Sequence, residues 1–159
     1  NVMIVDLVRN DLAKVSKTGS IHVEELFGIY PFNTVYQMIS TISSELKDTS
    51  NGFDAIKATF PMGSMTGAPK HRSMQLIDKY ENSRRGVYSG AIGYFKPNGD
   101  FDFNVVIRSL LLDSKLKKAS FSVGGAIVYD SSPEGEYEEC LLKAKALLES
   151  LGLPTHFDS

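Results

Sequence analysis

The stretch VYSGAIGYFKPNGDFDFNVVIRSLLL, residues 87–112, decides how the chain is read. Its β-branched and aromatic residues form two runs, Val87 to Phe95 and Phe101 to Leu112, separated by Pro97-Asn98-Gly99-Asp100. An Asn-Gly pair between two such runs is a hairpin signal. A third run, Ala119 to Tyr129, follows the charged segment Asp113 to Lys118. Three strands are therefore expected in this region.

Downstream, Ser132 is a candidate N-cap with Pro133 at the first helical position, where its missing N–H costs nothing. Tyr137, Cys140, Leu141, Ala144, Leu147, Leu148 and Leu151 then share one stripe, the clearest helical period in the chain. Upstream, the period of Val2, Val5, Val8 and Leu12 predicts a helix from residue 2 to about 15. Ile21 to Tyr30 and Thr34 to Leu46 read as strands around a turn at Pro31-Phe32-Asn33. Phe53 to Thr59 reads as a short helix, the segment 60–67 as a loop, and Pro69 to Glu81 as a second helix burying Met74, Ile77 and Tyr80. Sequence-adjacent hairpins with helices between them give an α+β fold, an antiparallel sheet with flanking helices.

The 159 residues suffice for one core, and 42% hydrophobic with 23% charged residues is ordinary for a folded globular domain. The 17 Lys and Arg are dispersed and the net charge is -2, so no nucleic-acid partner is expected. No long apolar run or signal peptide is present, and the single Cys140 makes no internal disulfide, so no membrane partner and a cytoplasmic setting are expected. The division expected is a partial catalytic domain over residues 1–153 and a polar tail over 154–159. An apolar-periodic segment beginning at Asn1 without an initiator Met suggests a truncated chain.

Several side chains could carry chemistry. Glu136, Glu139 and Lys143 recur at three- and four-residue intervals and so share one helix face. Magnesium takes one or two protein carboxylates besides water and substrate oxygens; the plainer alternative is a solvated face with a Glu-to-Lys pair. The loop Gly63 to Lys70 combines glycines, hydroxyls and a helix start, which favours an anion, although it lacks the lysine-hydroxyl pair of a nucleotide loop. Gly124-Gly125 inside a strand marks either a bulge or close approach by a ligand. Arg108, always charged in an apolar run, calls for a carboxylate, either a substrate's or an internal Asp or Glu. His22, His71 and His156 form no pair at metal-ligand spacing.

In order and spacing, Met3-Ile-Val-Asp-Leu-Val-Arg-Asn-Asp-Leu12, Gly63-Ser-Met-Thr-Gly-Ala-Pro-Lys70, Arg84-Arg-Gly-Val-Tyr88, Ile107-Arg-Ser109 and Gly135-Glu-Tyr-Glu-Glu139 resemble the chorismate-binding enzymes. That family includes anthranilate, aminodeoxychorismate, isochorismate and salicylate synthases. The resemblance implies the C-terminal part of a larger anthranilate synthase-like fold. It implies Mg2+ at Glu136 and Glu139, with Glu139 the more direct ligand, and Lys143 adding positive charge near the substrate's ring carboxylate. It implies Arg108 and Tyr88 on the enolpyruvyl carboxylate, backbone N–H groups at Gly124, Gly125 and Ala126 on a carboxylate, and Ser64 near the ring.

The style of the first two motifs is that of the ammonia-using synthases, and Gly-Ser-x-Thr-Gly that of the aminodeoxychorismate branch, with anthranilate synthesis as the alternative. The implied reaction replaces the chorismate 4-hydroxyl with ammonia from a glutamine amidotransferase, towards para-aminobenzoate and folate. Two positions depart from the family pattern: Gln37 stands where many members carry an active-site histidine, and Ala126 replaces a glycine. The family's catalytic lysine and its other metal carboxylate fall before Asn1, so the chain alone is expected to be inactive, with an exposed apolar face. Two other readings remain: a non-catalytic anion-binding module, and a structural domain with Arg108 paired internally.

Overall fold

A computed structural model describes residues 1–32 and 36–155. These fall into two compact units. One comprises Asn1–Asn82 with Gly93–Asp102, the other Ser83–Ile92 with Phe103–Ser159.

In the first unit, α1 (Val2–Ala13) buries Val5 and Asp11. Its end is joined to the chain beyond the following ribbon: Lys17 N donates to Glu45 O and Lys47 N to Val15 O, each at 2.9 Å. The ribbon pairs β1 (His22–Pro31) antiparallel with β2 (Tyr36–Ser43), from His22 opposite Ser43 to Pro31 opposite Tyr36. The register shifts twice, between Val23 and Glu25 and between Glu25 and Gly28. Phe27 takes a φ of 62° there, and its N–H turns to Ser40 Oγ at 3.1 Å instead of a ladder carbonyl. Asn33 and Thr34, at the expected turn and strand start, lie outside the described residues.

Helix α2 (Gly52–Thr59) starts where Asn51 makes it start. The Asn51 side chain accepts from Phe53 N and Asp54 N at 2.9 and 3.2 Å, and Asp54 accepts from Asn51 N, a reciprocal cap. Phe53 stacks on Phe95 at 4.5 Å, with Phe101 beyond at 5.3 Å. The expected loop after α2 contains a single helical turn, α3 (Gly63–Thr66), before α4 (Lys70–Tyr80). The predicted buried stripe on α4 is not observed: the helix has no buried residue, and Met74 and Tyr80 are 40% and 66% exposed. Ile77, the third residue of that stripe, is half-buried.

The Asn-Gly turn does produce a hairpin, of β3 (Ala91–Phe95) and β4 (Phe101–Val105), both shorter than predicted. Residues 87–90 are a turn instead, closed by Tyr88 N to Arg85 O and Gly90 N to Val87 O. The second predicted strand ends at Val105, where Ile107 N folds back to Val105 O at 3.1 Å, and Arg108 just beyond has a left-handed φ of 49° that is incompatible with extended pairing. It resumes as β5 (Leu111–Asp113), paired with β6 (Lys118–Ser120). The run expected to reach Tyr129 leaves the ladder after Ser120, because no described strand lies beside it. Helix α5 (Pro133–Ser150) begins as expected, with Ser132 Oγ accepting from Gly135 N at 3.2 Å.

The antiparallel α+β class therefore holds, among the described residues as three separate two-stranded pairs. The buried apolar residues are Val5 and Val15 in one unit and Val106, Ala144 and Leu147 in the other. Large apolar side chains stand in solvent on the ribbon and on α5, Tyr36 at 80% and Leu142 at 71% exposure among them. Among the described residues no helix is long and apolar enough to cross a membrane.

Candidate active site

The first turn of α5 and the segment before it assemble most of the predicted site. Ser131 N donates to Val128 O at 3.1 Å, which folds the chain back just before the Ser132 cap. Ser131 Oγ accepts from Val128 N at 2.9 Å and donates to Glu136 Oε1. One carboxylate oxygen of Glu136 is thereby fixed. The other, Oε2, is buried and has no hydrogen-bond partner among the described residues. Leaving such an oxygen unpaired costs about 1–3 kcal/mol, so a native fold that keeps it calls for an explanation.

Gly125 lies against that oxygen. A Cβ at this position would come within 2.7 Å of Glu136 Oε2, so the absence of a side chain is what admits that carboxylate, while Glu139 Oε2 at 3.6 Å would be in ordinary contact. Gly124 stands the same way to Tyr88, whose hydroxyl would be 3.0 Å from an added Cβ. Neither glycine is a strand bulge, since no ladder runs through them. Lys143, nearly three turns into α5, donates to Gly124 O at 2.9 Å and pairs with Glu139 Oε1 at 2.6 Å. The Glu-to-Lys pair of the plain surface reading thus exists. It also fastens the helix to the glycine segment, which a solvated pair would not do.

Tyr88, Gly124, Gly125, Glu136, Glu139 and Lys143 are accordingly one cluster, and Ala126 follows it as an exposed residue. Arg108 is exposed, and no hydrogen bond or ion pair from it to a described residue is present, so the internal carboxylate partner is not found. Ser89 N to Val106 O and Val106 N to Gly90 O, both 2.9 Å, lay the Tyr88 turn beside the Arg108 bend. Among the described residues no group of three or more His, Cys, Asp and Glu is arranged to hold a metal.

Ser64 is exposed on α3, and Gln37 is exposed on β2 opposite Tyr30; both belong to the first unit. Two features escaped the sequence reading. Ser131 was passed over beside the cap it precedes. Asp11, 2% exposed, sits three residues after Val8 on the apolar stripe of α1, and that position was the signal of a buried acid.

The chorismate binding enzyme family matches residues 1–149. The chain is 50% identical over 146 residues to aminodeoxychorismate synthase, chloroplastic, from Arabidopsis thaliana, covering 92% of this chain and 16% of that protein. It is 46% identical over 147 residues to anthranilate synthase component 1 from Lactococcus lactis, covering 92% and 32% respectively. The crystal structure of anthranilate synthase component I from Streptococcus pneumoniae superposes with a TM-score of 0.83 at 39% identity, over 92% of this chain and 33% of that one. The chain thus spans between about a sixth and a third of the length of these relatives. With a family match over nearly every residue and a fold shared at this level, the chain belongs to the chorismate-binding enzymes.

Proposed function

We propose that this chain supplies the carboxylate-holding part of an aminodeoxychorismate synthase, which exchanges the 4-hydroxyl of chorismate for ammonia and releases water. The observation that carries the reading is the buried, unpartnered Glu136 Oε2 beside Glu139. Hard carboxylate oxygens held open in this way fit Mg2+, which needs only one or two of them. When bound there, Mg2+ would draw charge from the substrate's ring carboxylate.

The chain's own residues would do the rest of the holding. Ser131 orients Glu136, and Lys143 fixes the backbone at Gly124 so that neighbouring N–H groups can meet a carboxylate. Arg108, free of internal acids among the described residues, offers a planar fork suited to the enolpyruvyl carboxylate, with the Tyr88 hydroxyl beside Gly124. Ser64 would stand near the ring. The aminodeoxychorismate product is favoured by the Gly63-Ser-Met-Thr-Gly67 loop and by the 50% identity to a relative of that name. The second reading is anthranilate synthesis, which the 46% identity to an anthranilate synthase component 1 supports.

Ammonia would come from a glutamine amidotransferase, in a reducing cytoplasm that leaves Cys140 a free thiol. The lysine that the family resemblance expects to begin the chemistry has no counterpart in these residues, so the chain alone is proposed not to turn chorismate over. The test is product analysis with chorismate, ammonium and Mg2+. A complete synthase carrying this segment should release 4-amino-4-deoxychorismate, and Glu139→Ala should abolish it. Release of anthranilate would establish the second reading, and robust turnover by the 159-residue chain would refute the proposed inactivity.

A further inference from the structure

Outside the α5 cluster, one charged group is buried among the described residues, Asp11 at 2% exposure. Both of its oxygens are used: Oδ1 accepts from Lys14 at 2.7 Å and Oδ2 from Lys70. The Lys70 ammonium also donates to Thr59 O at 3.1 Å. Thr59 and Lys70 are the residues immediately before and after the segment 60–69, so one cation holds both ends of that loop against one buried acid. A second point of attachment lies within the loop, where Gly63 meets Leu7 of α1 so closely that an added Cβ would be 2.8 Å from its side chain.

Lys70 is the last residue of the loop whose glycines, hydroxyls and helix start favour an anion. Its ammonium is instead directed inward, onto the buried Asp11 carboxylate that it shares with Lys14. We propose that Lys70, held by Asp11, is a positioning residue that closes the base of the loop 60–69 and so determines where Ser64 stands. The catalytic consequence rests on the reading of Ser64 as a substrate-facing group; the loop closure itself does not.

Hydrogen exchange separates the two. In the 159-residue chain, Lys70→Met and Asp11→Asn should each speed exchange of the loop amides 60–69 by tenfold or more. Amides of α5, in the other unit, should be unchanged, and Lys70→Arg should restore much of the protection. Unchanged loop exchange overturns the proposal, as does a uniform rise across the chain, which would mean a general loss of stability. In a complete synthase carrying this segment, Lys70→Met should raise KM for chorismate about tenfold while leaving KM for ammonium unaltered. Should Ser64→Ala leave kcat/KM unaltered, the catalytic reading of Ser64 fails, and the exchange result still decides whether the loop is closed by Lys70.

Discussion

Glu136→Gln changes one buried oxygen from charged to neutral without changing its shape, and its effect should reverse sign with magnesium. Without a cation, Glu136 Oε2 of the parent chain has no partner among the described residues. An unsatisfied buried acceptor costs about 1–3 kcal/mol, more when charged, and the glutamine can present its amide to Ser131 Oγ and leave only a neutral carbonyl behind. The variant should therefore be more stable than the parent by about 1 kcal/mol. Adding Mg2+ at ten times its dissociation constant should stabilise the parent by about 1.4 kcal/mol and the variant hardly at all. With a denaturant dependence near 1 kcal/mol per molar urea, the parent's midpoint should rise by about 1.4 M with the cation and the variant's should stay put. Urea melts followed by circular dichroism, with and without Mg2+, give all four numbers. If the variant is no more stable without the cation, or gains as much from Mg2+ as the parent, then Glu136 is not the unsatisfied ligand argued for here.

Other perturbations follow from the same geometry. Asp11→Ala strands the Lys70 ammonium, which is only 15% exposed, and should cost the unit that holds both residues about 3–5 kcal/mol, read from exchange of the α1 amides, with α5 unaffected. Asp11→Leu combined with Lys70→Met should cost less than the sum of the two single changes, and strict additivity would contradict the pairing. At Arg108, with φ at 49°, glycine should be more stable than alanine by about 1 kcal/mol, the reverse of their usual order. Both variants should lose chorismate binding by calorimetric titration, and retained binding would remove Arg108 from the site. The Tyr30 phenol is held above its ordinary value of 10.0, first by its hydrogen bond to Glu25, then by that carboxylate's charge, and last by slight desolvation. A raised value in the folded chain means the contribution is complete below about pH 10 and is lost as pH rises through the folded value. Absorbance titration should show the phenol returning towards 10 in Glu25→Gln, and no change would sink the assignment.

Local chemistry was legible where it is settled within a few residues. Ser132-Pro133 announced α5, and Asn98-Gly99 announced the hairpin. Extents were not legible where a distant contact ends an element. The run of β-branched residues ends at Val105 and turns left-handed at Arg108, and nothing in Val105-Val106-Ile107 foretells that. Gly124-Gly125 looked like part of a strand because alternation continues around it, yet the segment is held by Lys143 from α5, 19 residues on. The site was readable as a helix face, since Glu136, Glu139 and Lys143 follow the helical period. Which oxygen is left open was not, because that depends on Ser131 taking the other one. Met74 and Tyr80 have the spacing of a core stripe, but periodicity shows which residues share a face, not whether anything covers it.

The thin apolar interior has a calorimetric consequence. A conventionally packed chain of 159 residues would unfold with a heat-capacity increase of about 2 kcal/mol/K, mostly from newly hydrated apolar surface. Among the described residues Val5, Val15, Val106, Ala144 and Leu147 make up the buried apolar set, and no side chain is wholly enclosed. Much of the apolar surface that unfolding would expose is already wet, so the increment should fall well below that figure. The temperature dependence of folding then loses most of its curvature. Cooling weakens the fold only slightly, and heating melts it over a broad interval without a sharp endotherm.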